Sequence, residues 1–562
     1  MAGVREPPPA HAPLPERESL HVEFKSDRKP LADNDLIEAV VCMANAEGGS
    51  IYLGVEDDGT PTGISDKHAD PLRLSGLVAS RTVPPVVVRV DLVSVGDVSV
   101  AQIQVPAASR IVGTTSGVYR QRRIMGDGKP GCAPMHPSDL DSRSSSLGIL
   151  DVTKRLISEA TLDDLDPVWR ARLPQVIEEN RGDASLLAID QQQRDAALGL
   201  ISRQPDGRWV PTLLGMLLVG RESSLQNFVP THEVAFQVVE GSDVRTNLFS
   251  RAPLLRIVEW LGTVMEPVNP EQEFFRGPYR VGIPRFDRLA FREAVANALV
   301  HRDYSVLGTV FVRLRDDVLS ISNPGGFISG VGIDNLLSTE PRARNPALAD
   351  AFKRLGLVER NGRGVELIYR GQLLYARPLP SYAQSTPYTV VLRIPFAAAD
   401  AVFMQMILEE ETRRSRPLPI ESLIALSTLR QHKRLSSPEL ATLIQHDASN
   451  AAAVLEALRE LGFVQSQGRG KTSTYILSPS TYERLGGKSE YVRQAGFAIP
   501  QQRAMIQEYA ASHGAITTAE AMELCGLSED QARRRLKDLV AEGKLVEGGA
   551  RGNRIYSRTQ PE

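Results

Sequence analysis

Glu293-Ala-Val-Ala-Asn297 leads into His301-Arg302-Asp303-Tyr304, and this stretch fixes the fold expected at the centre of the chain. Glu293 and Asn297 are four residues apart, so they share one face of a helix. The Asn297 side-chain carbonyl can bind Mg²⁺, which takes few protein ligands and fills its shell with waters and phosphate oxygens. The Glu293 carboxylate can act as a general base toward an attacking water. The stretch therefore predicts a nucleotide site with Mg²⁺ on a helix.

Two glycine-containing segments downstream extend this prediction. Residues 318–322 are typical of a strand, which ends in Asn323-Pro324-Gly325-Gly326. A second segment, Asn361-Gly362-Arg363-Gly364, opens an apolar helical run over 365–369. The start of a helix offers free backbone N–H groups, which suit a phosphate group.

The helix and the two glycine segments together resemble the GHKL ATP-binding fold of gyrase, MutL and histidine kinases, in the divergent form that bacterial regulators combine with Schlafen-like domains. The resemblance covers about residues 285–375. It implies ATP with Mg²⁺ as cofactors and assigns these residues: Glu293 as the ATPase base, Asn297 at the Mg²⁺, Asn323, Gly325 and Gly326 at the adenine, and Gly362 and Gly364 at the phosphates. The family has Asp where Asn323 stands. Asparagine still accepts a hydrogen bond from the adenine amine but brings no charge, so nucleotide binding is better supported than turnover.

The His301-Arg302-Asp303 triplet also resembles the catalytic loop of protein kinases. That loop requires an asparagine five residues after its aspartate. Gly308 stands at that position here, so the kinase interpretation fails.

Acidic residues near the N-terminus form a second candidate site. Glu18 and Glu23 flank the start of a predicted strand, and Asp57 follows the end of another. Carboxylates that converge from strand ends can bind Mg²⁺ or Mn²⁺ for phosphodiester cleavage. The segments Glu18 to Lys25, 44–49 and 53–57 are similar to the Schlafen AlbA-like domain over about residues 16–143.

This second resemblance implies catalytic, metal-binding roles for Glu18, Glu23 and Asp57, as in Schlafen ribonucleases. The arginines of a predicted hairpin, Arg120, Arg122 and Arg123, would line a phosphate channel. Other members of the family are binding modules rather than nucleases. An ion pair of Glu23 with Lys25 and an ordinary turn at Asp57 remain the alternative.

The C-terminal part contains a weak internal repeat of three helices followed by a hairpin. Ser436-Ser-Pro-Glu439 and Thr517-Thr-Ala-Glu520 are capping boxes that start the second helix of each unit. This order indicates two winged helix-turn-helix units, which commonly bind DNA through the third helix and the wing. The expected contacts are basic: Arg469 and Lys471 in the first unit, and Arg533, Arg534, Arg535, Lys537, Arg551 and Arg554 in the second. A protein-interaction role is the alternative, above all for the first unit, whose third helix is rich in Ala and Leu.

Length and composition agree with a multidomain α/β protein. The chain has 562 residues, enough for about three to five domains. Its net charge of -3 indicates no global attraction to nucleic acid or membrane. The expected division is a disordered lead-in (1–15), an AlbA-like domain (16–146), an α/β connecting region (147–250), a GHKL-like domain (251–396), a helical linker (397–416) and winged helices at 417–485 and 495–560.

Cysteine usage and hydropathy predict the compartment. Cys42, Cys132 and Cys525 are far apart in sequence, so we expect free thiols in a reducing cytoplasm. No apolar stretch is long enough to cross a membrane, and the N-terminus lacks the pattern of a signal peptide.

Three functions follow from these observations. The first is a cytoplasmic, ATP-responsive, DNA-binding transcriptional regulator that forms homo-oligomers. The second is a metal-dependent ribonuclease that cleaves RNA, for instance tRNA in phage defence. The third is an assembly scaffold in which both sites are degenerate.

Overall fold

The computed structural model describes residues 14–276, 279–359, 362–467, 473–485, 499–525, 527–548 and 554–558. The predicted contacts Arg469, Lys471 and Arg551, and most of the predicted lead-in, lie outside this part of the chain. Helices and sheets alternate along the described ranges, as expected for an α/β multidomain protein. Within them, no helix is long and apolar enough to cross a membrane.

A four-stranded sheet forms the N-terminal region, in the order β1-β2-β5-β4. β1 and β2 are parallel, and the other neighbours are antiparallel. The elements are β1 (Val22–Lys25), α1 (Asp33–Ala44), β2 (Gly49–Leu53), α2 (Pro71–Arg81), β3 (Thr82–Val83), β4 (Arg89–Val95), β5 (Val98–Val105), β6 (Gly113–Thr114), β7 (Arg120–Ile124), β8 (Pro130–Pro134) and α3 (Pro137–Ser146).

Helix α1 supplies the largest share of the N-terminal core of any element, because almost its whole length from Leu36 onward is buried. Asp33, the predicted N-cap, is instead its first helical residue, and Ala32 is the N-cap. The Asp33 carboxylate lies 2.6 Å from Lys67 Nζ. The Asp33 carboxylate, which was predicted to cap the helix, is therefore engaged with Lys67.

The expectation of free thiols was wrong for two of the three cysteines. Cys42 on α1 and Cys132 on β8 form a disulfide with a Cα–Cα distance of 5.7 Å, while Cys525 is free and buried. The two partners are 90 residues apart in sequence, and only the packing of α1 against the β7–β8 hairpin brings them together. The argument from thiols to a reducing compartment therefore fails.

A five-stranded sheet forms the centre of the middle region, in the order β12-β11-β15-β16-β17. Within this sheet, as far as the structure describes it, β11 and β15 are parallel and the other neighbouring strands are antiparallel. The elements are α4 (Pro167–Glu179), α5 (Gln191–Ala197), β9 (Ile201–Arg203), β10 (Trp209–Pro211), α6 (Leu213–Val219), α7 (Glu222–Phe228), β11 (Val234–Glu240), β12 (Asp243–Ser250), α8 (Leu254–Met265), β13 (Glu271–Arg276), β14 (Tyr279–Pro284), α9 (Arg288–His301), β15 (Val310–Arg315), β16 (Val318–Pro324), α10 (Pro346–Leu355), α11 (Gly364–Leu373) and β17 (Thr389–Pro395).

Two small units with three-stranded sheets follow helix α12 (Ala401–Arg414). The first contains α13 (Ile420–His432), β18 (Leu435–Ser436), α14 (Ser437–Ile444), α15 (Ala448–Glu460), β19 (Val464–Gln467), β20 (Thr474–Leu477) and α16 (Pro479–Arg484). The second contains α17 (Ile499–His513), β21 (Ala515–Thr517), α18 (Thr518–Cys525), α19 (Glu529–Ala541), β22 (Leu545–Gly548) and β23 (Ile555–Arg558). Both show the predicted order of three helices and a hairpin.

Candidate functional site: a nucleotide cavity and its neighbours

Helix α9 positions the predicted catalytic and Mg²⁺ residues. Its N-cap, Asp287, accepts a hydrogen bond of 2.9 Å from the backbone N–H of Ala290. Glu293, Asn297 and His301 follow at intervals of four residues and line one cavity of about 610 Å³. The other faces of α9 are buried in the hydrophobic core, which fixes the orientation of this stripe.

Glu293 is a buried carboxylate, with 1% of the residue exposed. Its Oε1 accepts a hydrogen bond of 2.9 Å from the Glu359 backbone N–H and lies 3.7 Å from Arg292 Nη2. Burial raises the pKa of the Glu293 carboxyl, and Arg292 and the Glu359 N–H act in the opposite direction. A carboxylate made more basic in this way is suited to accept a proton.

The N-terminus of α11 faces Glu293 and Asn297. A Cβ on Gly364, the first residue of α11, would lie 2.9 Å from Glu293 Oε2 and 3.4 Å from Asn297 Nδ2. A side chain at this position would displace the Glu293 carboxylate, and glycine lets the helix end approach the two side chains without that movement. Arg363 at the N-cap makes no side-chain capping bond within the described ranges, so the first N–H groups of α11 are available to a ligand.

Gly362 also lines the cavity and has a φ of +73°. A Cβ there would lie 2.6 Å from Pro341 Cγ, so the turn that precedes α11 also requires glycine. Asn361, which the sequence places in the same segment, lies outside the described residues.

The end of β16 forms another wall of the cavity. Asn323 is buried and lines the cavity, and its side-chain amide donates a hydrogen bond of 3.2 Å to the Pro324 carbonyl. Gly326 lines the cavity as well, and its backbone lies so close to Pro387 that a Cβ would meet the Pro387 carbonyl oxygen at 2.3 Å. Gly325, with a φ of +91°, supports this wall, and its N–H donates to Tyr388 O.

The cavity has an apolar wall and charged residues of both signs that the sequence motifs did not reveal. Phe327 and Tyr382 line it and form an aromatic pair with ring centroids 5.9 Å apart. Arg342, Lys353 and Arg363 add positive charge, and Glu340, Asp350, Glu359 and Glu366 add negative charge. These residues come from loops, from α10 and from the start of α11, and no local pattern marks them. The donor set fits a nucleoside triphosphate with Mg²⁺, because an amide oxygen, a helix N-terminus and cations meet beside an apolar wall.

The predicted N-terminal carboxylates have different surroundings. Glu23 is buried, and its two carboxylate oxygens form ion pairs with Lys25 and Arg122. Glu18 accepts a hydrogen bond of 2.9 Å from the Phe24 N–H, and its Oε2 lies 4.0 Å from Arg122 Nη2. Asp57 is exposed in a turn. The described residues contain no group of three or more His, Cys, Asp or Glu side chains that could hold a metal ion.

The three hairpin arginines are all engaged within the protein. Arg120 Nε lies 2.6 Å from Glu38 Oε2, and Arg123 Nη1 lies 3.9 Å from Asp139 Oδ1. Arg122 is buried and donates to the carbonyls of Ser19 and Val22 in addition to its pair with Glu23. The structure thus uses these arginines to attach the hairpin to its neighbours.

The second C-terminal unit presents some of its predicted basic residues to solvent. Arg533, Arg534 and Lys537 are exposed on α19, and Arg533 pairs with Glu529. Arg535 is turned inward: its side chain is 15% exposed and donates to Gln502 Oε1 at 3.1 Å. Arg554 is exposed and pairs with Glu547 at 2.8 Å.

Comparison with known proteins finds three domain families along the chain. Residues 18–126 match the family described as "Schlafen, AlbA_2". Residues 308–392 match HATPase_c_4, described as "Putative ATP-dependent DNA helicase recG C-terminal". The chain carries a Schlafen AlbA_2 domain ahead of an ATPase-like domain. Residues 397–559 match the family described as "DNA glycosylase AlkZ-like", which spans both C-terminal units.

Whole-chain comparisons support the fold alone. The crystal structure of the DIP2311 protein from Corynebacterium diphtheriae is 23% identical, covers 96% of this chain and 95% of that chain, and has a TM-score of 0.50. A crystal structure of a transcriptional regulator is 21% identical over 24% of this chain and 84% of that chain; its TM-score of 0.12 carries no argument. No curated protein matches the chain.

The ATPase-like family match covers only part of the residues that line the candidate cavity. Asn323 and Gly364 lie inside the ATPase-like match, whereas helix α9 with Glu293 and Asn297 precedes its first residue, 308. The ATPase-like domain indicates nucleotide binding. The Glu18, Glu23 and Arg122 cluster lies inside the AlbA_2 match.

Proposed function

We propose that this protein binds ATP with Mg²⁺ in the α9–α11 cavity and acts as a DNA-binding transcriptional regulator. One observation carries the proposal: Glu293 and Asn297 face the uncapped N-terminus of α11 across a single cavity, with Gly364 at the point of closest approach. The ATPase-like match supports a nucleotide as the ligand.

The phosphates would occupy the α11 end of the cavity. Free N–H groups at a helix N-terminus and the helix dipole both favour a phosphate group there. The Asn297 carbonyl oxygen would complete the coordination of Mg²⁺, which neutralises phosphate charge when bound. Arg363 and Lys353 line the cavity and carry charge of the sign that phosphates require, and Mg²⁺ would offset the acidic residues of the same lining, such as Glu359 and Glu366.

The base would occupy the β16 end. Because the Asn323 amide group donates to the Pro324 carbonyl, its own carbonyl oxygen is the group left to accept a hydrogen bond from the adenine amine. Phe327 and Tyr382 provide the apolar surface that an aromatic base needs.

Glu293 would act as the base if the bound nucleotide is hydrolysed. Its burial and raised pKa suit proton abstraction from a water. The neutral Asn323 in place of an aspartate favours sensing of the nucleotide over fast turnover. We therefore propose a regulatory role, with at most slow hydrolysis.

DNA would contact the second winged-helix unit through α19. Arg534 and Lys537 are exposed on this helix, and neither has an ion-pair partner within the described ranges. The AlkZ-like and AlbA_2 matches support nucleic acid as the partner class. A metal-dependent ribonuclease is not proposed, because Glu23 is already neutralised by Arg122 and Lys25.

The test is DNA binding measured by fluorescence anisotropy at low salt, with and without Mg²⁺–ATP. We expect binding whose affinity changes with ATP, and a double variant Arg534→Ala/Lys537→Ala that lowers the salt dependence by roughly one unit of slope per lost contact. Arg459→Ala, an exposed position on α15 of the first unit, is the matched control and should leave binding unchanged. Absence of binding to any duplex at low salt would remove the DNA-binding part of the proposal.

A further inference from the structure

Helix α3 (Pro137–Ser146) lies between the AlbA_2 match, which ends at 126, and the ATPase-like match, which begins at 308. The AlbA-like domain was expected to end at residue 146, the last residue of this helix. Helix α3 forms because Pro137 occupies the first turn and the Asp139 carboxylate accepts a hydrogen bond of 2.8 Å from the His136 N–H at the N-cap. Its side chains contact both neighbouring domains.

One side of α3 holds the AlbA_2 domain through Arg143. The Arg143 guanidinium donates to the carbonyl of Ala46, at the end of α1, at 3.1 Å, and to the carbonyl of Ala108, beyond β5, at 3.4 Å. Both acceptors lie in backbone that directly follows elements of the N-terminal core, α1 and β5.

The other side of α3 holds the ATPase-like region through its serines. Ser142 Oγ donates a hydrogen bond of 2.5 Å to Asp303 Oδ2. Ser145 Oγ donates to the Arg344 carbonyl at 3.4 Å, and the Ser146 carbonyl accepts from the Ser329 N–H at 2.9 Å. A hydrogen bond to a carboxylate is stronger than a neutral one, so the Ser142 contact is the principal link.

Asp303 and Arg344 continue this link to the cavity wall. Both are buried, and Arg344 Nη1 lies 3.4 Å from Asp303 Oδ2. Arg344 Nη2 donates at 3.0 Å to the carbonyl of Gly326, which lines the cavity. The Asp303 N–H donates at 2.9 Å to Pro324 O, the residue before Gly325. Asp303, the last residue of the His-Arg-Asp triplet, thus supports the wall of the cavity.

We propose that α3 couples nucleotide binding in the cavity to the AlbA_2 domain through the Ser142–Asp303–Arg344 contacts. The inference rests on the proposed nucleotide site. A ligand that fixes the Gly326 wall fixes Arg344 and Asp303 as well, because both are buried and bonded to that wall. Ser142 then transmits the constraint to α3, and Arg143 transmits it to the AlbA_2 core. If ATP changes the affinity of the AlbA_2 domain for its own ligand by some factor, that ligand must change the affinity of the cavity for ATP by the same factor.

The experiment is hydrogen–deuterium exchange of the full chain with and without saturating Mg²⁺–ATP, read by mass spectrometry. In the wild type, ATP should slow exchange in α9, α11 and α3, in α3 by roughly fivefold or more. Ser142→Ala should keep the slowing in α9 and α11 and lose most of it in α3, where the Ser145 and Ser146 bonds remain. Ser142→Thr, which retains the hydroxyl, should behave like the wild type. Ser144→Ala is the matched control on the same helix and should also do so.

The outcomes separate the two proposals. Slowing in α9 and α11 of the wild type without any change in α3 overturns the coupling and leaves the nucleotide site intact. Equal slowing of α3 in Ser142→Ala and the wild type also overturns the coupling. No change in α9 or α11 of the wild type overturns the nucleotide site, and the coupling fails with it.

Discussion

Replacing Arg122 by alanine should destabilise the AlbA_2 domain strongly. The Arg122 side chain is 1% exposed, and that of Glu23, its partner, is 6% exposed. Arg122 also donates to the Ser19 and Val22 carbonyls. Its loss leaves a buried carboxylate with Lys25 as its remaining ion-pair partner, and removing one partner of a buried pair costs roughly 3–5 kcal/mol.

Native-state hydrogen exchange of the β1 and β2 amides measures this loss in the intact chain, since the slowest amides report the free energy of opening of their domain. The expected cost corresponds to exchange that is roughly a hundredfold to several thousandfold faster. Arg120→Ala is the matched control on the same strand: its pair with Glu38 is about one-third exposed on both sides, and such pairs contribute about 0–1 kcal/mol. If Arg122→Ala accelerates exchange no more than Arg120→Ala does, the assignment of a structural role to this cluster is refuted.

Two further predictions concern stability. Burial, together with the nearby charges of Arg302 and Arg251, lowers the pKa of His232 to about 4, so the folded state binds fewer protons than the unfolded state below pH 6.5. The stability that comes from keeping His232 neutral is fully present above pH 6.5 and is lost as the pH falls to about 4, up to about 3 kcal/mol. The difference in urea-unfolding free energy between the wild type and His232→Gln should therefore change between these pH values. A difference that does not depend on pH would contradict the assignment. The Cys42–Cys132 bond closes a loop of 90 residues, and the chain-entropy argument gives about 4–5 kcal/mol of stabilisation of the folded state for such a loop. A reducing agent should therefore lower the melting temperature of the wild type but not that of Cys42→Ser/Cys132→Ser. Equal shifts in both proteins would refute this reading.

The cavity could be predicted from the sequence because its chemistry follows local spacing. Glu293 and Asn297 share a helix face by periodicity alone, and Gly364 marks the start of the next helix that meets them. Asn323 lies near the end of β16, whose start the apolar pattern indicated and which continues to Pro324. The sequence did not predict how these elements are arranged in space, because the surrounding sheet and helices determine that arrangement.

Long-range pairs explain most of what the sequence did not reveal. Arg122 is 99 residues from Glu23, so nothing local distinguishes a phosphate-binding arginine from a buried ion-pair partner. The Cys42–Cys132 pair was missed for the same reason. The polar serines of α3 gave no sign of an acceptor such as Asp303, which lies 161 residues from Ser142.

The inward position of Arg535 is a different case, because a signal was present. Ala532, Leu536 and Leu539 form the buried stripe of α19. Residue 535 is three positions after the first and four before the last of these, so it borders the stripe. Helical phase alone separates Arg535 from the exposed Arg534.

Calorimetric titration of Mg²⁺–ATP into the full chain tests the nucleotide site most directly. We expect one ATP per chain for the wild type. Asn297→Ala should weaken binding roughly tenfold or more, as loss of even an outer contact to a bound metal does. Gly364→Ala should also weaken it, since its Cβ would lie 2.9 Å from Glu293 Oε2. Asn227→Ala, an exposed asparagine on α7, should bind as the wild type does. Absence of heat for the wild type, or equal affinity in Asn297→Ala, would contradict the account.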